Sequence, residues 1–251
     1  MSKDHTIRDA PPSYSEAVYG DSGASNGFPP SSVPAVGANY GPAAPPPAAP
    51  LQPYTGFDYA PSHHPDLNPL LACHALTVGS KMGHLSYKIK DMAGQHVFTA
   101  KGKIEGDFFN CCDPAARWIE FDIRNLNKVP LTHFKVIFEE LGCCTYPKSH
   151  LDVSYVPDIL IGRVRVRGKY AYDITNTGGD IILTVEGGVG FCEILPYKIC
   201  SPTGVEVGSI ERVDGIKNRV FFPSDMDIRV KVQLLSTAVF IQYLDESRRK
   251  K

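Results

Sequence analysis

From about residue 75 onward the chain alternates apolar and polar positions in short runs. "LSYKIKD", "QHVFTAKG", "RWIEFDIRN", "HFKVIFEE", "IGRVRVRG", "YAYDITN", "DIILTVEG", "YKICS", "VGSIERV" and "MDIRVKV" follow one another, parted by Gly, Asn, Asp and Pro. A period of two places alternate side chains on opposite faces of a strand, so each run has one face for a core and one for water. Many such runs between turn residues predict an antiparallel sandwich or a closed barrel. A short non-strand piece is expected around residues 113–116. The alternation stops for good at residues 232–244, "VQLLSTAVFIQYL", with Lys231 before it and Asp245 after it. A membrane-spanning helix needs roughly twenty apolar residues, and a stretch of about thirteen has the length of a buried core helix.

The pattern also repeats. "YKIKDMAGQHVFTAKG" starts at Tyr87 and "YDITNTGGDIILTVEG" at Tyr172, an offset of 85 residues. Tyr87, Ile89, Asp91, Gly94, Thr99 and Gly102 fall opposite Tyr172, Ile174, Asn176, Gly179, Thr184 and Gly187. Further on, "FDIRNLNKVPL" from Phe121 lies over "YKICSPTGVEV" from Tyr197 at an offset of 76. Each copy reads as strand, Asp/Asn-x-x-Gly turn, strand, which is a hairpin. Two copies, about 80–150 and 158–246, predict a duplicated sheet closed on itself, because closure removes unpaired edges. Something apolar must then fill the interior. The segment at 232–244 is the candidate, so a β-barrel domain over 75–246, wrapped around its own C-terminal helix, is expected.

Composition adds a tail. Of 251 residues, 21 are proline, and these crowd into the first seventy positions. Residues 1–70 carry neither period, and their proline density opposes both helix and ladder hydrogen bonds, so this stretch is expected to be disordered. Within it "PPSY" is a PPxY element: Pro11 and Pro12 preset an extended polyproline turn ahead of Tyr14, the form that WW-domain grooves accept. A chance occurrence in a Pro/Ser/Tyr-rich tail is the alternative. The formal net charge of −1 points away from nucleic acid. No apolar stretch of a secretory signal opens the chain, and the cysteine count, 7, is odd, so a reducing compartment without structural disulfides is expected. No Ser-His-Asp spacing, phosphate-binding glycine loop or H-E-x-x-H occurs, so an enzyme is not expected. Cations cluster twice. Arg163, Arg165 and Arg167 share one side of a strand, and residues 247–251 form a basic tail with Arg248 and Arg249. Each cation near an anionic lipid surface contributes about 1 kcal/mol. A solvated strand face and a frayed terminus are the plainer alternative, and "SRRKK" also permits nuclear import.

Several of these motifs, in this order, resemble the phospholipid scramblase family: "NCCDP" at 110–114, "IGRV" at 161–164, "YDITNTGGDIILTVEG", "VGSIER" at 207–212 and "FFPSDMDIRVKV" ahead of the apolar segment. The resemblance covers about residues 75–245. It implies a Tubby-like, twelve-stranded antiparallel barrel around a C-terminal helix, and ATP-independent movement of phospholipids between leaflets at the cytoplasmic face of a membrane, chiefly the plasma membrane. The family carries a palmitoylated cysteine run, and here that place holds Cys143 and Cys144. Two adjacent acyl chains, at about 0.8 kcal/mol per buried CH2, could anchor the protein; small buried apolar side chains are the alternative. Cys111 and Cys112, beside Asp113 and Pro114, read as structural. Zinc is disfavoured, because adjacent thiolates fit one tetrahedral centre poorly. The family's Ca2+ loop maps to 214–227, where Asp214, Asp225 and Asp227 remain. Ile216, Lys217 and Arg219 stand where oxygen ligands would be wanted, so weak or lost calcium binding is expected. The alternative function is a membrane- or phosphoinositide-binding adaptor that recruits WW-domain proteins through its tail without moving lipid.

Overall fold

The computed structural model describes Tyr14 and residues 64–80, 85–105, 118–140, 148–190 and 194–249. A 3-10 turn at Pro65–Leu67 and a single helical turn α1 at Asn68–Ala72 lead into the strands. These are β1 (Ala75–Ser80), β2 (Ser86–Lys90), β3 (His96–Glu105), β4 (Trp118–Arg124), β5 (Pro130–Glu140) and β6 (Lys148–Tyr155), then β7 (Ile159–Gly168), β8 (Ala171–Thr175), β9 (Ile181–Val189), β10 (Ile194–Cys200), β11 (Glu206–Val213) and β12 (Lys217–Phe221). Helix α2 (Ile228–Arg249) ends the described chain. Every strand pairs antiparallel with its sequence neighbours, and β12 closes onto β1, with Ala75 opposite Phe221 and Val78 opposite Asn218. The sheet is thus a closed barrel and not a sandwich. One end holds the β11–β12 turn; the other holds the β2–β3 turn and the connection from β12 into α2.

Alternation becomes inside and outside. On β4, Ile119, Phe121 and Ile123 are buried. On β2, Tyr87 and Ile89 point inward while Lys88 and Lys90 are exposed. On β7, Val164 and Val166 are buried, and Arg163, Arg165 and Arg167 share the outer face. Helix α2 runs through the interior. Val239 is 0 % exposed and Phe240 2 %, and Lys231, Gln233, Ser236, Thr237 and Gln242 are buried as well. A helix buried all round has no polar face to offer water, so its polar side chains need partners inside. Lys231 Nζ donates to the carbonyls of Leu70, Leu71, Cys73 and Ser224 at 2.8–3.3 Å. Ser236 and Thr237 bond back to Val232 O and Gln233 O one turn earlier. Gln242 Nε2 donates to Ile216 O at 2.7 Å, and Arg212 pairs with Asp245 near the far end.

The residues matched at an offset of 85 take corresponding places in the barrel. Tyr87 lies on β2 and Tyr172 on β8, six strands apart, which is half-way around the barrel. Asp91 Oδ1 accepts from Gln95 N at 2.8 Å in one copy, and Asn176 Oδ1 accepts from Asp180 N at 2.9 Å in the other. Gly102 and Gly187 each lie under an aromatic ring: a Cβ there would sit 2.5 Å from Phe121 and 2.6 Å from Tyr197. The core also reaches upstream of residue 75, since Leu67 and Leu70 are 1 % and 0 % exposed.

The glycine of "IGRV" has a steric reason. A Cβ on Gly162 would overlap Thr175 O and Gln233 Nε2, the two atoms that join α2 to β8 through a 2.9 Å hydrogen bond. Gly162→Ala is therefore expected to cost roughly 2–4 kcal/mol, overpacking plus a lost buried hydrogen bond. Gly168→Ala, where the added carbon meets nothing within 4 Å, should stay within about 0.5 kcal/mol of the parent. Urea midpoints of the two variants measure the difference.

Candidate functional site

The outer face of β7 carries the first cation cluster read from the sequence, beside a cavity of about 620 Å³ lined by Ser149, His150, Arg163, Arg165, Arg167 and Asp173 among others. Strand geometry puts the three guanidinium groups in one column, and the neighbouring strands largely neutralise them. Arg163 Nε donates to Asp152 at 2.6 Å on β6. Arg167 binds Asp173 at 2.7 Å on β8 and Glu186 at 2.6 Å on β9. Glu186 is the main cause that raises the Arg167 pKa further above its ordinary value. Arg165 makes no ion pair among the described residues. The column is thus a cross-strand ion network with one cation left over. Exposed pairs of this kind are worth about 0–1 kcal/mol each.

The three carboxylates of the calcium loop do not meet. Asp214 lies in the β11–β12 turn and pairs with Lys217 at 2.9 Å, which lowers its pKa below the usual carboxylate value. Asp225 and Asp227 lie beyond β12, at the other end of the barrel. Asp225 Oδ1 accepts from Tyr14 N at 3.1 Å, and Asp227 is gripped by Arg229 through Nε at 3.0 Å and Nη2 at 2.9 Å. Five residues of β12 separate the two ends, roughly 16 Å at about 3.3 Å per residue. Among the described residues no group of three His, Cys, Asp or Glu side chains gathers to hold a metal.

Tyr14 of the PPxY element is half-buried and packs against the core. Pro11 and Pro12 lie outside the described residues, as do Cys111, Cys112, Cys143 and Cys144 and the side chains of Arg248 and Arg249. Cys73 and Cys200 are free thiols whose pKa values burial raises, away from the thiolate that nucleophilic chemistry needs. Among the described residues no helix is long and apolar enough to cross a membrane. A second outer-face cavity, about 340 Å³, lies over β1 and its neighbours β2 and β12. Its cations Lys88, Lys90, Lys217 and Arg219 stand in two pairs 129 residues apart in the chain, so no run of basic letters marks them. The signal in the sequence is their alternation: Lys88 with Lys90, and Lys217 with Arg219, each on the polar phase of its strand.

Calcium at about 1 mM, the affinity range of weak extracellular modules, is expected to leave the melting temperature unchanged. A site with a dissociation constant a hundredfold lower would stabilise the fold by about 2.7 kcal/mol at that concentration, which differential scanning calorimetry would detect.

No protein-family model matches the chain, and no curated protein matches it either. A solved X-ray structure of a protein from Arabidopsis thaliana aligns with 71% of this chain and 97% of its own, at 12% identity and a TM-score of 0.44.

Proposed function

We propose that the chain is a peripheral binding module for anionic membrane surfaces, with an N-terminal tail that recruits WW-domain proteins. One observation carries the reading: the longest apolar segment of the chain, α2, is the interior of the barrel. It is therefore occupied as core, and the outward positions of the strands beside it bear charge, Lys88, Lys90, Arg163, Arg165, Arg167, Lys217 and Arg219 among them. A lipid-spanning barrel needs an apolar outer band, whereas a charged outer face suits docking onto headgroups, with cations contributing about 1 kcal/mol each.

Movement of phospholipid between leaflets, which the motif resemblance implies, is the second reading. What supports it is the order of "IGRV", "VGSIER" and "FFPSDMD" in the chain. One experiment separates the two. Vesicles of phosphatidylcholine with phosphatidylserine are expected to bind the full chain in flotation and to release it as salt rises, because the Debye length shrinks. Dithionite applied to vesicles reconstituted with the protein is expected to bleach the outer-leaflet fluorescent lipid alone. Bleaching of both leaflets would replace the binding reading with the scrambling one.

The tail contact gives a second prediction. Tyr14 cannot pack on the barrel and fill a WW groove at the same time. A synthetic peptide of residues 1–30 is therefore expected to bind a WW domain more tightly than the whole chain does. Asp225→Ala, which removes the acceptor of the Tyr14 amide, should narrow that gap. Equal affinities of peptide and protein in isothermal titration would show that the contact does not compete.

A further inference from the structure

We infer that the trough over β1 is an anion-binding site for a multiply phosphorylated ring, such as an inositol phosphate headgroup; the lipid-bound form of this ligand rests on the membrane-binding reading above. The duplicated barrel supplies its own internal comparison. The half-turn that carries β2 onto β8 carries β1 onto β7 and β12 onto β6, so the two outer-face cavities lie on corresponding strands. Their registers match. Gly79 lies opposite Lys88, and Arg165 lies opposite Asp173 and His150. Thr77 lies between Lys90 and Arg219, and Arg163 lies between Thr175 and Asp152.

The charges have been rearranged between the copies. In the β7 copy the central strand carries the arginines and the walls carry the carboxylates, so the face neutralises itself. In the β1 copy the central strand is reduced to Thr77 and Gly79, and the cations stand on both walls: Lys88 and Lys90 on β2, Lys217 and Arg219 on β12. The walls are two strand spacings apart, about 10 Å, and the floor between them is Thr77 and Gly79, with the Lys217 stem lying over Gly79, its Cγ 3.2 Å from where a Cβ would sit. Lys88 and Lys90 make no ion pair among the described residues. Asp214 takes Lys217 at 2.9 Å, and Arg219 Nε donates to Thr77 Oγ1 at 3.1 Å, which leaves the rest of its guanidinium for a ligand. Glu211 on β11 stands opposite Arg219 on β12, and Ser209 Oγ is one of its partners. Asp91 and Asp214 are the carboxylates among the lining residues, so the trough keeps an excess of two positive charges.

Cations facing each other across a gap repel, and an anion between them turns that repulsion into attraction on both sides. Arg219 offers a planar fork for a phosphate and the lysines offer mobile point charges. A ring bearing more than one phosphate reaches both walls together, which a single phosphate cannot do. The volume, about 340 Å³, lies at the small end of ligand cavities.

The test measures the full chain and three variants against two probes: a soluble inositol trisphosphate by isothermal titration, and phosphatidylcholine vesicles doped with a phosphorylated phosphatidylinositol by flotation. Lys88→Gln with Lys90→Gln should weaken both by roughly ten- to thirtyfold, from about 1 kcal/mol per cation. Gly79→Leu keeps the formal charge, fills the floor and displaces the Lys217 stem that lies over it, and should weaken the soluble probe at least as much. Arg165→Gln, on the other copy, should bind as the parent does, and thermal melts check that all three fold. Retained binding by the lysine double variant, with loss in Arg165→Gln, would overturn the trough and leave membrane binding on the β7 face. Loss on removing the lysines but not on filling the floor would reduce the trough to diffuse charge and overturn it as a site. Trisphosphate binding that obeys the variants, without vesicle binding, would keep the site and sink the membrane reading. A parent chain that binds neither probe would sink both.

Discussion

The burial of α2 inside a closed ring of strands is the constraint from which the rest of the structure follows. An interior helix must be apolar on every side, yet this one carries Lys231, Gln233, Ser236, Thr237, Gln242 and Asp245. Each of these is answered by a specific partner. The serine and threonine bond to the preceding turn of their own helix. Gln233 crosses to β8, past the space left by Gly162. Lys231 is the most demanding case, because burial lowers its pKa and a bare ammonium could not remain there. Four carbonyls from α1, the segment before β1 and the β12–α2 connection surround it, with the Phe222 ring 5.2 Å away. The same lysine thereby holds residues 70–73 against the end of the barrel.

The barrel has two outer faces, over β1 and over β7, that match in register and differ in character. The inner positions of the copies remain alike: Tyr87 and Tyr172, Ile89 and Ile174, and a ring over a glycine in each half. These positions are tied to the shared core, where a change of volume is felt at once. The outer positions carry no such tie. There, one copy has turned its charges on each other across β6, β7 and β8, and the other has separated its cations onto opposite walls. The first arrangement pairs its charges across the strands; the second leaves Lys88 and Lys90 without an ion pair among the described residues.

The two ends of the barrel also differ in what they offer. At the end where β12 leads into α2, Asp225 and Asp227 are engaged by the Tyr14 amide and by Arg229. That end receives Tyr14. At the other end Asp214 sits in the β11–β12 turn beside Lys217, at the rim of the β1 trough. Carboxylates close together in the chain are thus placed by β12 at opposite poles, in two separate electrostatic settings.

Much of the fold was legible in the chain. The period of two, the turn residues and the Tyr87/Tyr172 repeat point to a closed, duplicated sheet, and the length of residues 232–244 points to a core helix. These signals are local, since a strand's alternation and a helix's length are properties of consecutive residues. The strand arginines were equally visible as neighbours in sequence. That Asp152, Asp173 and Glu186 neutralise Arg163 and Arg167 was not, because these carboxylates lie on other strands. Lys88 and Lys90 face Lys217 and Arg219 only because β12 closes onto β1, and that pairing joins the two ends of the domain. Alternation assigned each of these side chains to the outer face; which charges became neighbours there depended on register and closure, the long-range hydrogen bonding that no short stretch of sequence contains.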